Sequence, residues 1–381
     1  MVPETSTHSR PQLDPDRLEL ARAKARESRI FTGINLALSL IYFLVWWGLI
    51  HPPLVTWLEI NVASFDLRVI IYVALFGLGF TLVELPLDAY RHTRSVHYGL
   101  SVQNWRSWFA DLIKGFAIGG VLGLVLAVIL YRLLATFPTT WWLWMGLVYL
   151  LFAVVLTQLA PVLITPLFFK IMPFEDETIA PRLKALAEEA GTQVRGVFRT
   201  SLSEKTTTAN AWLSGLGRTR RIVLGDTLID QYPPDEIVAI FAHEMGHQVH
   251  RDLGKGILIS SAVSLVGLWL AGRIVDWAVG MFGFSGPADL RAFPWLVLAL
   301  VLFGVLTDPL LNAYSRAREW AADRYAYQHG PGPGAFADSL TRLANQNLSD
   351  PAPPRWEVVL SYSHPPILDR IAAAQSYQPT D

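Results

Sequence analysis

Phe31 to Ile50 is an unbroken run of 20 uncharged residues. A helix of that length crosses the roughly 30 Å hydrocarbon core of a bilayer. Five comparable runs follow. They are Val69–Leu87, broken by Glu84; Gly115–Phe137, with Arg132 near its end; and Thr140 to about Leu163. The last two are Gly256 to about Phe282, interrupted by Arg273 and Asp276, and Ala292 to about Leu311, with Asp308 near its end. Charged residues make up 17% of the chain, against about 25% in an ordinary soluble domain. The deficit sits inside these runs, so the chain is expected to be a mostly α, polytopic membrane bundle of about six spans in contact with a lipid bilayer. The WW pairs at 46–47 and 141–142 fit interfacial aromatic belts.

Lysine and arginine test the count. Residues 1–30, 88–114, 166–255 and 313–381 together hold 27 of them, and the three short alternate loops hold 2. By the positive-inside rule, both termini and the large 166–255 segment are expected on the cytoplasmic side. The polar first 30 residues show no signal-peptide pattern. The expected organisation is a cytoplasmic N-terminal segment (1–30), four spans (31–165), a soluble segment (166–255), two spans (256–312) and a polar C-terminal segment (313–381). Net charge is −1, so nothing points to nucleic acid. Glu84, Asp88, Arg273, Asp276 and Asp308 lie in or near span ends; each either snorkels to the interface or faces a polar interior.

The chemistry is expected between the spans. Pro181–Ala190 reads as a short amphipathic helix, and Gly196–Ser201, Thr206–Leu213 and Arg221–Leu224 as strands. Pro233-Pro234-Asp235 starts a helix that runs to His250. Inside it stands His243-Glu244-Met245-Gly246-His247. Residues four apart share a helix face, so both imidazoles can reach one ion. Glu244, beside the first histidine, can take a proton from an attacking water and return it to the leaving amine, as in HExxH zinc proteases. Cysteine is absent, so a third ligand must be His, Asp or Glu. His250 is the nearest, but it lies about 10 Å along the axis from His243. Glu319 is the better candidate, on a helix expected over about Asn312–His329, with Asp323 one turn on and suited to orient a ligating histidine. Composition alone would leave that helix merely exposed and charged. Ala335–Asn347 is a further expected helix. His364 and Arg370 are candidate donors to a developing oxyanion, although HPP by itself is more often a turn. The Thr206–Leu213 strand could take an extended peptide by strand addition.

Four segments together, NAWLSGLGRTRRIVLGDTL (210–228), HEMGH (243–247), SRAREWAAD (315–323) and YSHPPILDRI (362–371), give the chain its resemblance. It resembles the integral-membrane zinc CAAX prenyl endopeptidases, a gluzincin family, as a shorter, bacterial-type member, from about residue 70 onwards. The resemblance implies one zinc held by His243, His247 and Glu319, and Glu244 as catalytic base. It gives Asp323 and His364 catalytic roles, His364 through the tetrahedral intermediate or the substrate backbone. It places Asn210 on the strand along which substrate lies. Arg370 is grouped with Asn210 as a substrate-binding candidate from its own chemistry alone, and a structural or solvent-exposed arginine in a C-terminal helix is the commoner case. It also implies a gluzincin-type domain with a small β-sheet. Eukaryotic members have seven spans, one more at the N-terminus than are counted here. The expected activity is a membrane metalloendopeptidase acting on peptides or proteins, either prenylated CAAX termini or membrane and misfolded proteins. The alternative is a transporter or scaffold with structural zinc, which the intact Glu244 argues against because a structural site needs no base.

Overall fold

The computed structural model describes residues 11–215 and 220–378. The first ten residues, positions 216–219, within the turn expected before Arg221, and positions 379–381 lie outside the described residues. Among the described residues, six helices are long and apolar enough to cross a membrane: Pro15–Asn61, Phe65–His97, Trp105–Thr136, Trp141–Phe168, Asp252–Phe282 and Leu290–His329. Each covers one of the expected spans to within a residue. Their outward faces carry large exposed side chains such as Leu36, Leu49, Ile60 and Leu306. So much exposed apolar surface on long helices is what a bilayer would cover.

Several helices overrun their apolar segments. The first continues past Ile50 through a π-helical turn at Trp46–Ile50 and on from His51 to Asn61. Pro52 and Pro53 lack the N–H a regular helix needs, and the wider turn just before them relieves that conflict. A second π-turn, Ala160–Ile164, accompanies Pro161 and Pro166 in the fourth span. The helix of the sixth span does not end near Leu311. It runs unbroken as Phe293–His329, so the boundary expected at 312/313 falls within one helix that belongs to both the membrane bundle and the site.

The tryptophan pairs divide rather than forming belts. Trp46 and Trp141 are buried in the bundle core with Tyr72, Tyr131 and Leu296, while Trp47 and Trp142 stay partly exposed. Of the five charges in or near span ends, Glu84 alone is buried; Asn35 and Ser39 of the first span donate to its carboxylate. Arg273 pairs with Asp276 at 2.8 Å, and Asp88 with Arg91 at 3.2 Å, on partly exposed surface.

The soluble part holds a four-stranded sheet. Its strands are β1 (Ile171–Pro173), β2 (Val197–Thr200), β3 (Ala211–Ser214) and β4 (Arg221–Gly225), in the order β1-β2-β4-β3. β4 lies between a parallel and an antiparallel neighbour. Its Ile222, Val223 and Leu224 are all buried, as the uninterrupted apolar run of a strand covered on both faces requires. β1 was not expected, and Thr206–Asn210 is not strand but approaches the sheet as a loop. Against the sheet packs the helix Pro234–Val249, through Ile237, Phe241 and Met245, together with Leu183 and Leu186 of the helix Ile179–Glu189. This second core fixes the HEMGH helix beneath the edge strand β3.

Candidate metal centre

Two helices make the centre. His243 and His247 stand one turn apart on Pro234–Val249, and Glu319 stands in the C-terminal half of the long helix Phe293–His329. Gly246 lets the two helices meet. A Cβ there would come within 2.8 Å of Ala322 Cα and 3.1 Å of Ala322 O, so only hydrogen fits at this crossing.

The donor atoms converge. His243 Nε2 lies 3.2 Å from His247 Nε2 and 3.4 Å from Glu319 Oε2, and His247 Nε2 lies 3.2 Å from Glu319 Oε1. A tetrahedral ion with ligands at about 2.0–2.1 Å holds them about 3.3–3.4 Å apart. Glu319 Oε2 is buried with no hydrogen-bond partner, which is costly unless the oxygen serves something else. Two imidazoles and a carboxylate are the donor set of a borderline metal such as zinc. The donors therefore fit a metal ion.

Each histidine is held from behind. His243 Nδ1 lies 2.8 Å from Asp323 Oδ1, and Asp323 is clasped by Arg370 through Nη2 at 2.6 Å and Nε at 2.9 Å. His247 Nδ1 lies 3.0 Å from Asp252 Oδ2, and Arg318 Nε donates to Asp252 Oδ1 at 2.8 Å. An Nδ1–H donated to a carboxylate leaves the Nε2 lone pair facing the other ligands. Phe336 stacks on the His243 ring. Burial alone would lower the His243 pKa, but the carboxylates of Asp323 and Glu319 beside the ring push it up to about 9. The pocket thus favours a cation at that ring. Burial raises the Glu244 carboxyl above the ordinary glutamate range, as suits a proton acceptor.

The charged residues of SRAREWAAD divide the work. Arg316 donates to the carbonyls of Val358 and Tyr362 at 2.8 and 2.6 Å, fixing the loop that carries His364. That histidine is exposed, with Nε2 3.3 Å from Glu319 Oε1. Glu244, His243, His364, Asn210 and Arg370 line one cleft of about 160 Å³, walled by Leu228, Ile240, Phe336 and Leu340. Arg370 lines it, yet its guanidinium is buried and committed to Asp323. His250 lies outside the centre; its ring bonds the Gly246 carbonyl at 2.7 Å at the helix end. Asp252, Arg318 and Phe336 were not singled out from sequence. A carboxylate five residues beyond His247 was a readable signal, whereas nothing local marks Phe336.

Comparison with known proteins agrees with this geometry. The model for peptidase family M48 matches residues 173–378, which hold both histidines, Glu244 and Glu319. The chain belongs to peptidase family M48. A second model, described as "CAAX prenyl protease N-terminal, five membrane helices", matches residues 2–170, where this M48 peptidase carries four candidate spans. The Bacillus subtilis metalloprotease YhfN is 30% identical over 95% of this chain and 86% of its own length. CAAX prenyl protease 1 of Saccharomyces cerevisiae is 28% identical over 77% of this chain and 69% of its own. The crystal structure of S. mikatae Ste24p superposes with a TM-score of 0.86 at 23% identity, covering 97% of this chain and 93% of that one, and shows the same fold. The chain is a multi-pass membrane metallopeptidase.

Proposed function

We propose that this M48 peptidase is an endopeptidase that carries one zinc per chain on His243, His247 and Glu319. The convergence of those three donors beside Glu244 and a cleft under an edge strand carries the reading. When bound, zinc supplies Lewis acidity that activates water and polarises the scissile carbonyl. The chain's own residues do the rest. An extended peptide lies along β3 near Asn210, pairing its backbone with the sheet edge. Glu244 accepts the proton of the attacking water and hands it to the departing amine. His364, on its pinned loop, donates to the oxygen that gains charge. Asp323 keeps the His243 ring in register, and we assign Arg370 to holding Asp323 rather than to substrate.

The positive-charge split supports both termini and residues 166–255 in the cytoplasm, so cleavage takes place at that membrane face. The name of the Saccharomyces cerevisiae relative supports C-terminal processing of prenylated CAAX peptides as the substrate class. The test is hydrolysis of matched prenylated and unprenylated quenched peptides by purified protein, with and without chelator. Glu244→Gln should retain zinc and lose about 10²–10⁴-fold in turnover. Near wild-type activity of that variant, or activity indifferent to chelator, would overturn the reading. Equal cleavage of both peptides would remove prenyl selectivity while leaving the endopeptidase.

A further inference from the structure

The two histidines are braced alike, but the braces come from different parts of the molecule. His243 leans on Asp323 and Arg370, from the sixth span's extension and the C-terminal helix Ile367–Ser376. His247 leans on Asp252, the first residue of the fifth span, and Asp252 leans on Arg318. Between His247 and Asp252 the chain turns at Arg251, a non-glycine residue with φ 56°. Only glycine adopts that conformation without cost. The single left-handed residue ends the HEMGH helix and starts the fifth span at once. It thereby turns Asp252 back onto the histidine five positions earlier. The Asp252 side chain is one-tenth exposed and Arg318 about one-quarter, so this pair is largely shielded from water, where a charge-assisted hydrogen bond is strongest.

We infer that Asp252 and Arg318 are positioning residues for the metal ligand His247. Asp252 accepts the Nδ1–H, which fixes the tautomer and aims Nε2 at the ion. Arg318 holds the second carboxylate oxygen and so fixes the Asp252 rotamer. Arg318 directly precedes Glu319, so one turn of the sixth span supplies both a ligand and the clamp on another ligand's brace. The first turn of the fifth span is thereby tied to the metal: a shift of that helix end moves His247. This inference rests on the ligand set proposed above.

The test measures zinc affinity by competition with a coloured chelator in the full-length, detergent-purified protein, with unfolding midpoints recorded alongside. Asp252→Ala should weaken zinc by about 10–100-fold, the usual effect of losing a carboxylate behind a ligating histidine. Asp252→Asn, which keeps one acceptor oxygen, should recover part of that loss. Arg318→Met should fall between. Asp276→Ala, which removes a partly exposed charge of the same span far along the helix from Asp252, should change nothing. Glu319→Ala is the reference. If it keeps zinc, the ligand set itself is wrong. If it loses zinc while Asp252→Ala binds with wild-type affinity, the brace alone is wrong. Should Asp252→Ala fail to fold, wild-type affinity in both Asp252→Asn and Arg318→Met overturns the inference equally.

Discussion

Gly246 sits inside the HEMGH segment but contributes no chemistry, and its replacement by alanine probes how the centre is assembled. The added Cβ would stand 2.8 Å from Ala322 Cα, and 3.1 Å from both Ala322 O and Tyr325 Cβ. Ordinary carbon–carbon contact is about 3.5–4.0 Å, so the worst overlap is about 0.7–1.2 Å. These neighbours are backbone or Cβ atoms of a long helix, and none can rotate away. The helices must part by something near 1 Å. Overpacking of this kind costs about 1–3 kcal/mol, and alanine returns about 1 kcal/mol in helix propensity. Net stability therefore falls by only about 0–2 kcal/mol. The effect on function is larger, because His243 and His247 ride one helix and Glu319 the other. Displacements of about 1 Å in a reacting site can cost about 10²-fold. Gly246→Ala should therefore keep its fold, with an unfolding midpoint only a few degrees lower, yet bind zinc more weakly and lose about 10²-fold in kcat/KM. Chelator competition and a quenched-peptide assay on the same preparation would show this. A folded Gly246→Ala protein with unchanged zinc affinity and turnover would refute the idea that this crossing sets the ligand triangle.

Other perturbations separate roles that the geometry leaves adjacent. His364→Ala should keep zinc and lower kcat by about 10²–10³-fold with little change in KM; a rise in KM alone would make His364 a binding residue, and lost zinc would revise the ligand set. Arg370→Ala leaves the buried Asp323 carboxylate with His243 Nδ1 but without its countercharge, and should destabilise the fold by about 3–5 kcal/mol, read as a lowered unfolding midpoint, whereas wild-type stability with only a raised KM would return Arg370 to the substrate. Cysteines introduced at Ser6, Ser214 and Ser376, in a chain with none of its own, should resist a membrane-impermeant thiol reagent in intact cells, and ready labelling of any one would break the proposed topology.

The parts of this fold that could be read in advance are those where one residue's chemistry needs no distant partner. Apolar length declares a span, so all six appeared. The i,i+4 spacing of His243 and His247 declares a shared face because helix geometry alone brings them together. Glu319 is a candidate because a chain without cysteine must draw a third ligand from His, Asp or Glu and it lies on a helix expected directly after the sixth span, and the family resemblance sharpens it. Hidden features depend on tertiary placement. β1 is three residues long and exists because Ile171–Pro173 pairs with Phe198–Thr200. The overrun of the first span depends on a π-turn that absorbs two prolines, and neither propensity nor hydropathy encodes that.

Arg316, Arg318, Glu319 and Asp323 show why the site was only half legible. Taken alone, these residues fit a solvated helix face as well as a functional one. Their meaning comes from three separate elements: the loop before His364, the start of the fifth span, and the HEMGH helix. A sixth span that stopped at the membrane surface could present none of them. Because the helix continues without a break to His329, its rigidity carries the register of the membrane bundle into the metal centre. In such an arrangement a charge-rich motif directly after a span is better read as the continuation of that span than as the start of a new domain. Its residues then sort by helical phase, with Glu319 and Asp323 one turn apart toward the histidines, and Arg318 turned aside by about 100° to reach the neighbouring span.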